Sequence, residues 1–126
     1  MRNNTGKIVA LISSTSDGTP DISLFDSREK VRLSIGFRLD GAPSVSLLDT
    51  EQGSRAVLSL NDHQDASLTM FNAAKLPLAA LSVYAGTSGH MVLYGPGGGL
   101  NLSASDGGVR WNPVNGAAIQ KIPNEK

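Results

Sequence analysis

The chain has 126 residues, with 11 Lys+Arg balanced by 11 Asp+Glu, no Cys, 14 Gly, 6 Pro and 5% aromatic residues. Zero net charge without a basic run argues against nucleic-acid binding and against adhesion to an anionic membrane, and the lack of cysteine excludes disulfides, thiolate zinc sites and a Cys nucleophile. No run of about 18 apolar residues could span a membrane and residues 1–7 lack a signal peptide's apolar stretch, so one cytoplasmic domain is expected.

In chain order the sequence repeats itself. Residues 17–26 read Asp-Gly-Thr-Pro-Asp-Ile-Ser-Leu-Phe-Asp and residues 40–49 read Asp-Gly-Ala-Pro-Ser-Val-Ser-Leu-Leu-Asp, an offset of 23. The same offset links Leu33, Ala56, Ala79 and Leu102, and also Phe37, Leu60 and Val83. Units are predicted at about 8–30, 31–53, 54–76 and 77–99, followed by a degenerate unit and capping tail over 100–126. Each unit holds two alternating apolar runs, the period-two mark of strands, and no stretch reads as helix.

Two kinds of connection separate the runs. One covers 27–30, 50–53, 73–76 and 96–99, each preceded by a turn-forming residue (Asp26, Asp49, Asn72, Gly95), with Gly53 and Gly99 expected in left-handed backbone. The other contains Asp-Gly at 17–18 and 40–41. Matching apolar positions predicts Leu24 opposite Leu33, Ile22 opposite Ile35, Phe37 opposite Val45 and Ile35 opposite Leu47. One face is then apolar throughout, from Ile22 and Leu24 to Leu93 and Leu102. The other carries one large residue per unit (Phe25, Leu48, Phe71, Tyr94) among serines, with Arg32 and Arg55 placed to cover the first of these. Tyr84 joins them as the face becomes more apolar toward the C-terminus.

The predicted fold class is all-β, an antiparallel meander of about four to five tandem 23-residue hairpin repeats. Its apolar face must be covered, either by closure as a barrel, prism or solenoid or by packing against other subunits.

The pattern Gly-x-Pro-x-[Ile/Val]-Ser-Leu-x-Asp, with an Arg six residues on, occurs from Gly18 to Arg32 and from Gly41 to Arg55. It resembles the short β-hairpin repeats found in uncharacterised bacterial proteins, and the repeat covers about four fifths of the chain. The unit length is also that of MORN repeats, whose Tyr-Gly pattern is absent. The resemblance implies no catalytic role.

Candidate chemistry is sparse. The run at 95–99 (Gly-Pro-Gly-Gly-Gly) has no helix behind it and no Gly-Lys-Ser/Thr ending, so it reads as a turn rather than a phosphate cradle. Asp26 and Asp49 recur at a turn position rather than facing each other across a cleft. His63 and His90 lie in successive connections, so they are expected at one end of the sheet. Arg110 and Trp111 fall where the repeat breaks, and Trp111 is expected to anchor the capping tail. Catalytic residues, metal ligands and cofactors are accordingly not expected. The first functional expectation is a non-enzymatic scaffold or interaction module whose partner is itself, with Phe25, Leu48, Phe71, Tyr84 and Tyr94 as an interface ridge. The second is a binder of a sugar-like or apolar small molecule, using His63, His90, Arg110, Trp111 and Tyr94 at the loop end, or a barrel interior.

Overall fold

A computed structural model describes residues 1–61, 63–84, 88–96 and 98–104, together with the backbone of 108–113. The strands are β1 (Ala10–Ser14), β2 (Pro20–Phe25), β3 (Val31–Phe37), β4 (Pro43–Leu48), β5 (Ser54–Leu60), β6 (Ala66–Phe71), β7 (Pro77–Tyr84), β8 (Ser88–Gly95), β9 (Gly98–Ser103) and β10 (Gly108–Pro113). They form one antiparallel meander in sequence order. Successive odd strands begin at Val31, Ser54 and Pro77, and successive even strands at Pro20, Pro43 and Ala66, which is the 23-residue step of the sequence.

Among the described residues each strand contacts only its sequence neighbours, so the chain is a single-layer sheet. β1 and β10 remain its two edges. Closure as a barrel or coiling as a solenoid therefore does not occur among these strands of one chain. The connections are short and join neighbouring antiparallel strands throughout, which extends the sheet in one direction and never brings β10 back to β1.

The two connections are one kind of turn. In the 26–30 turn, Glu29 N donates to Asp26 O and Asp26 N to Lys30 O. In the 38–42 turn, Gly41 N donates to Arg38 O and Arg38 N to Ala42 O. Both are type I turns closed by a left-handed residue, the three-residue hairpin loop that suits a right-twisted sheet. The left-handed positions are periodic: Gly6, Glu29, Gln52, Lys75 and Gly98 on one series, Gly18, Gly41 and Gln64 on the other. Gly53 and Gly99 are not among them, so the expected left-handed site lies one residue earlier, where the turn's fourth residue must reverse the chain. The first such turn is at 3–7: Asn3 Oδ1 accepts from Thr5 N and Lys7 N as Asp26 Oδ1 accepts from Arg28 N and Lys30 N. The periodic structure thus starts earlier than residue 8.

Leu24 lies opposite Leu33 and Ile22 opposite Ile35, as the apolar pattern requires. Between β3 and β4 the register is Ile35 to Val45 and Leu33 to Leu47, with Phe37 opposite Pro43. That is two residues from the expected pairing, because the turn occupies 38–42 and draws Pro43 into the ladder. A two-residue slip leaves every side chain on its own face, so the assignment of faces survives.

Candidate functional site

Register places one residue from each strand in a row across the sheet. The central row reads Ile12, Ile22, Ile35, Val45, Leu58, Leu68, Leu81, Met91, Leu102 and Val109. A second row on the same face reads Ala10, Leu24, Leu33, Leu47, Ala56, Met70, Ala79, Leu93, Leu100 and Trp111. Ten strands contribute twenty positions without one polar residue. Pro20, Phe37, Pro43 and Leu60 widen the face and line an open groove of about 440 Å³.

This face is bare. Ile22, Ile35, Leu47, Leu58, Leu81 and Leu93 each keep between 38% and 52% of their surface exposed, and no large side chain among the described residues is fully buried. What is buried is small or polar: Ala42, Ser23, Ser59, Asp65 and Ser88. Serines occupy the opposite face, where Asp21 accepts from Ser23 Oγ (2.6 Å) and Ser34 Oγ (2.9 Å). Monomeric soluble proteins rarely expose a contiguous apolar surface of this extent.

The chain is electrically neutral as a whole, but its two long margins are not. Odd strands run from the margin holding the 3–7, 26–30, 49–53 and 72–76 turns to the margin holding the 15–19, 38–42 and 61–65 turns. The first margin carries Arg2, Lys7, Arg28, Lys30, Arg32, Arg55 and Lys75 against Asp26, Glu29, Asp49 and Glu51. Two of those acids are held locally: Asp26 pairs with Arg32 at 3.4 Å and Asp49 with Arg55 at 3.6 Å. Backbone donation from Lys30 to Asp26, and from Gly53 to Asp49, keeps both carboxyls below the usual carboxylate range. The second margin carries Asp17, Asp21, Asp40 and Asp65 against Arg38, which pairs with Asp40 at 2.8 Å. Asp17, bonded to Thr15 Oγ1 and Thr19 N, is lowered to about 2. Asp62 and Asp106 lie outside the described residues.

No protein-family model and no curated protein matches this chain. Its function is therefore read from its own surface.

The singled-out residues divide between the two margins. His63 sits in the 61–65 turn, beside a hollow of about 360 Å³ shared with Arg38, Asp40 and Asn61. His90 lies toward the same margin, two strands away. Its Nε2 is 3.2 Å from Ser88 Oγ, and its ring stands edge-on to Tyr84 with centroids 5.8 Å apart. The histidines thus share a margin but have separate neighbours, and no group of three His, Asp or Glu residues among the described residues could hold a metal. Trp111 pairs in register with Leu100, toward the opposite margin, on a strand that extends the sheet. Arg110 pairs with Asn101. The expected cap over 100–126 is thus a tenth strand as far as residue 113, and the rest lies outside the described residues.

The expected ridge also divides. Phe25, Leu48 and Phe71 are half-buried beside recurrent bulges near the cationic margin, and Tyr94 is exposed at that end of β8. Tyr84, 67% exposed, belongs to the other margin beside His90. Arg32 Nε donates to Leu48 O at 2.8 Å, bridging one unit to the next. Sequence reasoning missed the margins altogether. Their signal was present in the separate charges of the two turn series.

Proposed function

We propose that this chain is a non-enzymatic scaffold of the cytoplasm that assembles with further copies of itself through its apolar face. The observation that carries the reading is the pair of uninterrupted apolar rows running across all ten strands, with large side chains about half-exposed along most of their length. Ten strands about 4.8 Å apart, some five residues deep at about 3.3 Å each, make a face of roughly 700 Å². That is close to the roughly 800 Å² per partner of a standard stable interface. A copy of the chain is the occupant that supplies an apolar face of equal length, and a self-complementary patch is how homo-oligomers are built. Balanced charge and the absence of cysteine suit a protein working in a reducing compartment. Sedimentation velocity over a dilution series is the test. Assembly at micromolar chain concentration, reversing on dilution, is expected; a strict monomer with a cooperative thermal transition would refute the reading.

A second reading rests on one small hollow. Val92, Tyr94, Gly98, Gly99 and Asn101 line about 300 Å³, and Asn101 Oδ1 is buried without a hydrogen-bond partner. An unsatisfied buried acceptor invites a donor. A sugar-like ligand, with hydroxyls for Asn101 and a ring face for Tyr94, fits that need. Titration of mono- and disaccharides against tyrosine and Trp111 fluorescence tests it, and an unchanged signal in wild type and Asn101→Ala alike would remove it.

A further inference from the structure

Apolar contact alone leaves the orientation of two copies open, and the charged margins decide it. Turns on opposite margins are offset by one strand. The 26–30 turn joins β2 to β3, so it lies level with the gap between the 15–19 turn (β1 to β2) and the 38–42 turn (β3 to β4). The 49–53 turn is likewise level with the gap between the 38–42 and 61–65 turns. Both gaps are open notches. The first, of about 610 Å³, is walled by Asp17, Thr19, Phe37 and Leu39, the last with its side chain wholly in solvent. The second is the hollow of Arg38, Asp40, Asn61 and His63.

Arg28, at the tip of the 26–30 turn, stands level with the notch lined by Asp17 and, on its far wall, Arg38. Glu51, at the tip of the 49–53 turn, stands level with the notch of Arg38 and His63, in which Arg38 also pairs with Asp40 at 2.8 Å. We propose that copies assemble around an axis running along the apolar rows, each seating its 26–30 and 49–53 turns in the notches of its neighbour's opposite margin. Arg28 then meets the neighbour's Asp17, its aliphatic stem lies on Leu39, and Glu51 meets Arg38 and His63. The reverse arrangement, with β1 over the neighbour's β10, would set the 26–30 turn of Arg28 and Lys30 level with the glycine turn after β8, which offers it no acid. This inference rests on the self-association reading and adds its geometry.

Because the chain has no cysteine, engineered thiols report the contact directly. Ser16→Cys and Arg28→Cys place single thiols at the tips of the 15–19 and 26–30 turns, both exposed. Mixing the two variants under a mild oxidant should give a disulfide-linked dimer within minutes, while each variant alone should give little. Arg28→Glu should raise the concentration needed for half-assembly about tenfold in low salt, an effect that disappears at about 0.5 M salt. Cross-linking as strong in Arg28→Cys alone as in the mixture, or none in a mixture that still assembles, would overturn the turn-in-notch contact and leave self-association standing. A wild-type chain that stays monomeric would overturn both.

Discussion

Leu58→Lys tests whether the bare face is an interface. Leu58 lies mid-strand in β5, opposite Val45 and Leu68 in the central apolar row, and is 49% exposed in the single chain. Full burial of a leucine is worth about 1.5–3 kcal/mol, so covering the exposed half would add roughly 1 kcal/mol per chain to assembly. Truncation in Leu58→Ala should then weaken association about fivefold for each leucine side chain removed from the interface. Lysine does more, because its ammonium must be stripped of water or keep the two faces apart, at a cost of several kcal/mol. Leu58→Lys should sediment as a monomer or unfold at concentrations where the wild type is assembled. A sheet whose described residues include no fully buried large side chain is also expected to melt at a temperature that rises with chain concentration. Sedimentation velocity and circular-dichroism melts at several concentrations read both effects. A variant that assembles and melts like the wild type would show that this face is not the contact.

Lys75 holds φ at 63° with a side chain that makes the left-handed conformation costly, so Lys75→Gly should stabilise the protein by about 0.5–1 kcal/mol in chemical denaturation. Gln52→Gly should gain less, since it removes the bond that Gln52 Nε2 donates to Val31 O at 3.2 Å. A Cβ at Gly99 would come 2.9 Å from Leu93 O, whereas one at Gly89 would meet nothing within 4 Å. Gly99→Ala is therefore expected to cost about 1–3 kcal/mol in the same assay and Gly89→Ala to be close to neutral. The Asp17 carboxyl is lowered from 3.8 to about 2, chiefly by the Thr15 hydroxyl, so the folded state binds fewer protons than the unfolded chain between those values. Its contribution is fully present above about pH 4 and disappears as pH falls through about 2; melts from pH 5 to pH 2 should show a shallower loss in Asp17→Asn than in the wild type.

Much of the sheet was legible because a β-strand reports its faces through alternation alone. Ile22, Ile35, Leu58 and Leu81 could be assigned to one face without knowing the turns, and a two-residue error between β3 and β4 left that assignment intact. The left-handed positions were harder. Glu29, Gln52 and Lys75 are poor left-handed residues, and the glycines that follow at 53 and 99 drew attention one position too far. The turn's hydrogen bonds, not side-chain preference, decide which residue reverses the chain. The level of Trp111 relative to His63 and His90 was not legible for a different reason. Proximity across a sheet depends on which margin each connection occupies and on how far into the strand a residue lies, and Trp111 lies three residues beyond the start of β10.

In the proposed assembly, the division between faces and margins would let a repetitive sequence of zero net charge specify one arrangement. Hydrophobic contact is non-directional, so two flat apolar faces built from nearly identical rows could slide by a whole unit at little loss. Such slippage would expose rows at one end and leave edge strands free to recruit further chains. Charge on the turns would break that degeneracy, because the tip residue is Arg28 in the 26–30 turn, Glu51 in the 49–53 turn and the uncharged Ala74 in the 72–76 turn. Sliding by one unit would move Glu51 toward Asp17 and Arg28 away from it, replacing attraction with repulsion at the same place. The apolar rows thus hold the most periodic part of the sequence, and the charged departures in the turns would set the register between copies in the proposed assembly. In Met1 and Arg2 a further departure acts at the edge: Met1 N donates to Ala10 O at 2.6 Å and Val9 N to Met1 O at 3.0 Å, covering the start of β1 where another strand would add. In the proposed assembly, face and margin would therefore favour stacked sheets, while Met1 shields only the start of the β1 edge.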